Sequence, residues 1–287
     1  MSTAPLAVVI YKQSVWEANR RRVSPRRLPR AQWREWHRSH AAHAATMQQV
    51  LRVLRQEAFQ VQLRDREHLR PIRRADVIIP LGGDGTFLRA SHYVEDLPML
   101  GVNSDPAVSV GFFCGATRET FRARLRAWLR GALPRTTLTR LQLTLNGRRM
   151  PELILNECLV THQNPAATSR YLLHIGTRQE AQTSSGLWVA TPAGSTAAAR
   201  SAGGHRLPLA SRQFQFVARE PFVRGKQPVC LWRGRVPARG RLEVLSLMPT
   251  GMLYLDGPHI TYPFRWGDQA CFGVARTPLR VLGMAGR

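Results

Sequence analysis

The chain has almost no lysine. Lys12 and Lys226 are the only two, although lysine and arginine together number 42 against 18 acidic residues, for a formal net charge of +24. A surplus of that size would suit a nucleic-acid binder, because clustered cations release the counterions of a phosphate backbone. The pattern argues against a base-stacking platform. The dense block Arg20, Arg21, Arg22, Arg26, Arg27, Arg30 and Arg34 has no aromatic residue interleaved from Arg20 to Arg30, and the remaining arginines are spread along the chain. Arginine replacing lysine nearly everywhere fits a coding bias better than selection at one surface, so nucleic acid is not expected as a partner. The positive field would still gather small polyanions.

Cysteine is sparse too. Cys114, Cys158, Cys230 and Cys271 stand far apart, with no pair at metal-ligand spacing and nothing like a disulfide framework. They read as buried small hydrophobes of a reducing compartment. No apolar run approaches the roughly 20 residues of a membrane span. The run Leu6 to Ile10 is too short for the core of a signal peptide and reads as a first strand, leaving no room for a removable leader. A cytoplasmic protein of one or two domains, with a large core, is the expectation.

Against these absences stands one concentrated signal. Residues 82–91 read GGDGTFLRAS, directly after the apolar run Asp76 to Leu81. A buried strand should therefore run into glycines and then into a helix opened by Thr86. Gly82, Gly83 and Gly85 let a polyphosphate approach the main chain, and the amides at the helix start point at the anion with the helix dipole behind them. Asp84 departs from a pure phosphate cradle. A carboxylate there implies work on a proton or a metal ion beside the phosphates.

Two further segments have the same texture. Asn156-Glu157 follows the apolar run Leu153 to Leu155, and Thr191-Pro192-Ala193-Gly194-Ser195-Thr196-Ala197-Ala198 follows Gly186 to Ala190. Each is a strand followed by small and polar residues, the composition of a loop that offers backbone and hydroxyl groups to a ligand.

In order and spacing, GGDGT, Asn-Glu, TPAGSTA and the SAGG of Ser201 to Gly204 resemble the NAD kinase family over roughly residues 70 to 260. GGDGT alone is shared with lipid kinases of the same superfamily; the later segments point to a dinucleotide acceptor. The runs Gly101 to Pro106, Ser184 to Leu187 and Phe216 to Pro221 are similar to a divergent branch that includes plant NADH kinases. The commoner bacterial branch has Asp-Gly where this chain has Ser185-Gly186, and a tyrosine where it has Ala198.

The resemblance implies transfer of the ATP γ-phosphoryl group to the 2′-hydroxyl of the adenosine ribose of NAD⁺ or NADH, with Mg²⁺ accompanying ATP. Asp84 matches the general base. Gly82, Gly83, Gly85 and Thr86 would hold the donor phosphates, with Asn103 on the next loop. Asn156 and Glu157 would bind dinucleotide hydroxyls, and Thr196, Ala197 and Ser201 would line the adenine and ribose pocket. Arg170 or Arg219 could clamp a pyrophosphate, or serve only in a surface ion pair. No all-protein metal cage is visible, and none is required for a nucleotide-borne ion. The family resemblance also implies a homodimer or homotetramer. Two readings compete with it: a kinase of the same superfamily acting on a lipid or nucleoside hydroxyl, and a non-catalytic dinucleotide or polyanion sensor. The second has no use for Asp84. Ser185 and Ala198 remove a carboxylate and an aromatic face from the expected acceptor pocket, so NADH should be accepted at least as well as NAD⁺.

The organisation expected is an N-terminal Rossmann-like parallel α/β domain and a C-terminal β-sandwich-like domain, the α/β + β architecture of this superfamily. Boundaries are expected at 1–116 and 117–264, with 265–287 returning to the first domain. Strands are expected at Leu6 to Ile10, Phe59 to Leu63, Val77 to Leu81 and Met99 to Val102, with an amphipathic helix over 31–57 whose Trp33 and Trp36 anchor the core. A second helix is expected over 117–133. Beyond it, strands are expected at Leu138 to Leu145, Leu153 to Val160, Tyr171 to Ile175, Gly186 to Ala190, Phe214 to Ala218, Val229 to Trp232, Arg241 to Ser246 and Met252 to Asp256.

Overall fold

The computed structural model describes residues 4–22, 28–223 and 229–284. Part of the arginine block, Arg26 and Arg27, lies outside the described residues. The chain divides into two compact units, residues 1–137 with 280–287, and residues 138–279. Residues 117–137 therefore stay with the first unit, and 265–279 with the second.

The first unit is built on a parallel sheet of β1 (Leu6–Tyr11), β2 (Gln60–Asp65), β3 (Val77–Gly82), β4 (Gly101–Asn103) and β5 (Cys114–Thr117), in the order β2-β1-β3-β4-β5. All six residues of β3 are buried, as expected of a central strand with both faces covered. Pro80 lacks a donor, so the pairing on this side runs from Ile78 to the 98–100 segment and resumes at Leu81 without a bond from position 80. After the short α1 (Val15–Asn19), opened by a Ser14–Glu17 capping box, comes α2 (Arg30–Gln56), which buries His43, Thr46, Val50, Val53 and Leu54. That spacing is one helical face. Trp33 does not reach the core. It packs edge-on against Trp16 of α1, ring centroids 4.6 Å apart, and Trp36 is half-buried. The helix α3 (Asp84–Ser91) follows β3, and α4 (Phe121–Leu129) packs Phe121 and Leu125 into the same core.

In an open sheet of this order the crossing connections leave β1 on opposite sides, which creates a crevice at the carboxyl ends of β1 and β3. The Gly-Gly-Asp-Gly turn emerges there. The strands β6 (Arg135–Leu138) and β19 (Leu279–Leu282) pair with each other, and Val281 bridges to Met99, so the last described segment returns to the first unit.

The second unit is an antiparallel sandwich. One sheet contains β7 (Leu141–Leu145), β8 (Arg148–Ile154), β10 (Ser169–Ile175), β11 (Arg178–Ser184), β15 (Leu242–Ser246) and β18 (Gln269–Val274), in the order β11-β10-β15-β18-β7-β8. The other contains β9 (Glu157–His162), β12 (Leu187–Ala190), β13 (Phe214–Ala218), β14 (Arg233–Val236), β16 (Gly251–Leu255) and β17 (Ile260–Phe264), in the order β14-β13-β12-β9-β16-β17. Alternate residues such as Leu141, Leu143, Tyr171 and Phe272 meet Val160, Val189, Phe216 and Leu253 in one core. A one-turn helix, α5 (Ala198–Ser201), lies beyond β12.

Four local expectations need correction. Leu138 to Leu145 is not one strand: β6 ends at Leu138 beside β19, and β7 opens at Leu141 in the sandwich. The run Leu153 to Val160 is two strands, broken at Leu155-Asn156, where the Asp256 carboxylate takes the main-chain donors. Val229 to Trp232 is not a strand: the N–H groups of Cys230 and Leu231 donate to Glu180, and pairing resumes at Arg233. Cys230 is exposed, whereas Cys158 is the buried hydrophobe expected, and all four cysteines are free. Among the described residues, no helix is long and apolar enough to cross a membrane.

Candidate functional site

The first cluster lies at the carboxyl edge of the parallel sheet. Gly82 is level with Asn103 across the β3–β4 ladder, and Ser104 donates its N–H to the Gly82 carbonyl at 3.0 Å. Gly83 is the residue before α3 and Asp84 its first residue, so the carboxylate stands where the unpaired helix amides concentrate positive potential. Asp84 Oδ1 accepts the main-chain N–H of Phe113 at 2.9 Å. Gly83 packs so closely on the loop after β4 that a Cβ would strike Ser109 Oγ, and that loop is braced from within: Asn103 Nδ2 donates to the Ser109 carbonyl at 2.9 Å, and Gly111, at φ +63, leaves the space that the Asn103 amide fills. Gly85 is exposed, and a Cβ placed on it would meet nothing within 4 Å. That leaves open space beside the start of the helix.

Thr86 has a different position from the glycines. Its side chain is buried over Gly82, and its Oγ1 accepts from Arg66 Nη1 at 3.4 Å. It shapes the loop and anchors a cation beside it. Two cations of this edge, Lys12 and Arg66, escaped the motif reading because they follow β1 and β2, remote in sequence from GGDGT. The half-buried Lys12 ammonium is held below its usual range by burial and then by the Arg66 charge, with Asp105 opposing. Behind them, His43 Nδ1 lies 3.0 Å from Ser104 Oγ, and burial and Lys12 push its pKa down. Asp105 is buried, accepts from Arg38 at 3.4 Å, and has an Oδ2 with no hydrogen-bond partner.

The second cluster belongs to the sandwich. Asp256, in the left-handed region at φ +48, accepts the main-chain N–H groups of Leu155 at 2.7 Å, Asn156 at 2.7 Å and Glu157 at 2.9 Å. Thr191 joins this turn to the TPAG segment: its Oγ1 donates to the Leu155 carbonyl at 2.6 Å and accepts from Gly194 N–H at 3.1 Å, while its own N–H donates to the Asn156 carbonyl at 2.9 Å. Gly194 packs so closely on Asn156 and Glu157 that no side chain would fit. The structure thus brings Asn156, Glu157 and the TPAG turn together. Thr196 and Ser201 are exposed and Ala197 half-buried, on the short turn and helix that follow.

Two buried polar atoms of this cluster have no partner: Asn156 Oδ1 and Glu157 Oε2. Such orphans carry a cost unless a ligand satisfies them. Burial, and then the nearby Asp256 charge, push the Glu157 carboxyl up to about 8, so at neutral pH it is mainly the acid and can donate as well as accept. Glu157 also lines a cavity of about 230 Å³ with Leu159, Trp188, Tyr254, Gly257 and Pro258. Leu159 is directly opposite both Trp188 and Tyr254 in the ladders, which makes the wall apolar and flat-sided. Arg219 lies over the Trp188 ring at 5.8 Å. At the far end of β12, Ser185 Oγ donates to Glu220 Oε2 at 2.5 Å, so a carboxylate stands beside position 185 although the residue there is neutral. The signals for Asp256 and Glu220 were faint: an Asp-Gly pair near the chain end, and a glutamate before a proline.

Residues 32–132 match the sequence profile of the ATP-NAD kinase N-terminal domain. A probable NADH kinase of Oryza sativa subsp. japonica is 38% identical over 224 residues, 69% of this chain and 68% of that protein. This chain belongs to the NAD kinase family. An NADH kinase of Arabidopsis thaliana is 34% identical over 221 residues, covering 69% of each chain. The fold agrees with two solved members. An Archaeoglobus fulgidus NAD kinase in complex with ATP matches at TM-score 0.70 and 21% identity, over 98% of this chain and 94% of the other. Yeast NADH kinase complexed with NADH matches at TM-score 0.74 and 16% identity, over 99% and 85%. NAD kinase family membership accounts for an α/β unit and a β-sandwich unit in one chain.

Proposed function

We infer that this protein is an NAD(H) kinase, which transfers the γ-phosphoryl group of ATP to the 2′-hydroxyl of the adenosine ribose of NAD⁺ or NADH. The observation that carries the reading is Asp84: a carboxylate at the first position of a helix, on a glycine turn at the crevice of a parallel sheet, in a chain of this family. The ribose 2′-oxygen attacks the γ-phosphorus and a P–O bond forms. The bond to the bridging oxygen breaks, and its electron pair leaves with ADP. Asp84 takes the hydroxyl proton. Hydrogen bonding to the Phe113 amide fixes which carboxylate oxygen remains free for that task.

The Gly83 to Gly85 amides are suited to the donor phosphates, and the orphaned Asn156 and Glu157 oxygens to dinucleotide hydroxyls. Magnesium, entering with ATP, supplies neutralisation of phosphate charge when bound. In this reading the ion is carried by the triphosphate, with Asp84 as the neighbouring carboxylate. A homodimer or homotetramer and a cytoplasmic location remain part of the proposal. The decisive test is incubation of purified protein with ATP, magnesium and either NAD⁺ or NADH, followed by detection of the 2′-phosphorylated product. No product with either acceptor, but turnover with a lipid or nucleoside, would reassign it within the superfamily.

A further inference from the structure

Forty of the 42 cationic residues are arginine, and the single lysine among the described residues is at the ligand edge of the parallel sheet. The ladders set its level. Tyr11 pairs with Asp65 on one side and Leu81 on the other, and Leu81 pairs with Val102. One residue further along each strand, Arg66, Lys12, Gly82 and Asn103 form a row across β2, β1, β3 and β4. Arg66 reaches along this row to Thr86 Oγ1 at 3.4 Å. Lys12 makes no ion pair among the described residues; Asp105, whose charge favours the ammonium, is bound through Oδ1 to Arg38 at 3.4 Å and lies beyond ion-pair distance of Lys12. A half-buried ammonium beside a guanidinium, without an anion of its own, is an arrangement that costs stability in the free protein.

We propose that Lys12, supported by Arg66, binds the β- and γ-phosphates of the donor nucleotide opposite the Gly83 to Gly85 amides, and that this position requires a compact ammonium. The inference rests on the kinase reading. A point charge with three rotatable donors can follow a phosphoryl group as it moves from ADP to the ribose oxygen, whereas a planar guanidinium prefers one fixed bidentate geometry. Arg66 has less freedom: its Nε is bound to Glu67 at 2.8 Å, so it serves as a fixed neighbour. The charge that builds on the transferred group then meets the helix amides on one side and Lys12 on the other.

The test compares Lys12→Met, Lys12→Arg and Arg66→Gln. Calorimetry with a non-hydrolysable ATP analogue and magnesium reads the clamp without turnover, and steady-state kinetics read its part in transfer. Lys12→Met is expected to weaken analogue binding at least tenfold, to lower kcat/KM for ATP by about a hundredfold, and to leave the dinucleotide KM within threefold. Its melting temperature should equal or exceed that of the wild type, because an unpaired, half-buried charge is gone; a structural lysine would give the opposite shift. Lys12→Arg, with charge retained, should still lose at least tenfold in kcat. Arg66→Gln, which removes only the fixed neighbour, should weaken analogue binding less than Lys12→Met does. Unchanged analogue binding in Lys12→Met, or equal losses for both substrates with a lower melting temperature, overturns the clamp. Full activity of Lys12→Arg overturns the requirement for an ammonium. If the wild type binds the analogue but phosphorylates neither dinucleotide, the kinase reading fails while the calorimetry still decides the clamp.

Discussion

Asp84 Oδ1 accepts the Phe113 N–H at 2.9 Å, tying the first side chain of α3 to the loop before β5. An asparagine keeps an oxygen for that bond and loses only the ability to take a proton. Asp84→Asn is therefore expected to lower kcat by about 10²- to 10⁴-fold, with a melting temperature close to wild type. Near-normal turnover would make Asp84 a loop anchor and nothing more. Asp84→Ala, which abandons the Phe113 amide as well, should melt lower.

Asp256 serves three main-chain donors of the Asn156 turn. Asp256→Ala is expected to cost about 2–4 kcal/mol, since hydrogen bonds to a charged acceptor are lost and the amides are left half-buried. Asp256→Asn, which tolerates the left-handed backbone and retains one acceptor oxygen, should cost less. Both should raise the dinucleotide KM more than the ATP KM, as should Asn156→Ala. Chemical denaturation and paired KM values check this, and equal effects on the two substrates would contradict the assigned role.

The Glu157 carboxyl sits near 8 against an ordinary value of 4.5. The folded state favours the neutral acid, so its stabilising contribution is complete below pH 4.5 and is lost as pH rises to about 8, by up to about 1.4 kcal/mol per pH unit. Glu157→Gln imitates the acid at every pH. Its melting temperature relative to wild type should climb between pH 5 and 8 and then level off. Parallel curves across that range would show that the carboxyl titrates normally.

The expectation of NADH use rested on Ala198 and on a neutral residue at 185, yet Ser185 is hydrogen-bonded to the Glu220 carboxylate. If position 185 faces the nicotinamide, Glu220 supplies the negative charge that favours the oxidised, cationic ring. Glu220→Gln should then raise the ratio of kcat/KM for NADH over NAD⁺ by about three- to tenfold, the modest size reflecting an exposed, screened charge. An unchanged ratio would separate this pair from acceptor choice.

Part of the site was legible because its signals are local. A buried apolar run, glycines and an aspartate at a helix start occupy a short continuous stretch, and the structure places Asp84 at the first helical position. The break at Asn156 was legible only as one of two readings, a loop after Leu155 or a single strand through it. Leu153 to Val160 is apolar enough for one strand, and what interrupts it is the Asp256 carboxylate, 100 residues along the chain from Asn156. Strand β11, Arg-Gln-Glu-Ala-Gln-Thr-Ser, has no apolar alternation to reveal it and is held by its full ladder with β10. Lys12 and Arg66 looked like two more cations in a basic chain until the register set them level with the glycine turn.

By itself the sequence determined the elements whose reasons lie within a few residues: the amphipathic α2, the buried β3, the glycine turn and the chemical types available to it. Hydrophobic periodicity and backbone freedom act over that range, so they can be read directly. The tertiary structure decided which groups share a site and in what state. Hydrogen bonds such as those from the Asn156 turn to Asp256, and the burial that lifts Glu157, depend on residues far apart in the chain, and a carboxyl's proton affinity is set by surroundings that only the folded chain assembles.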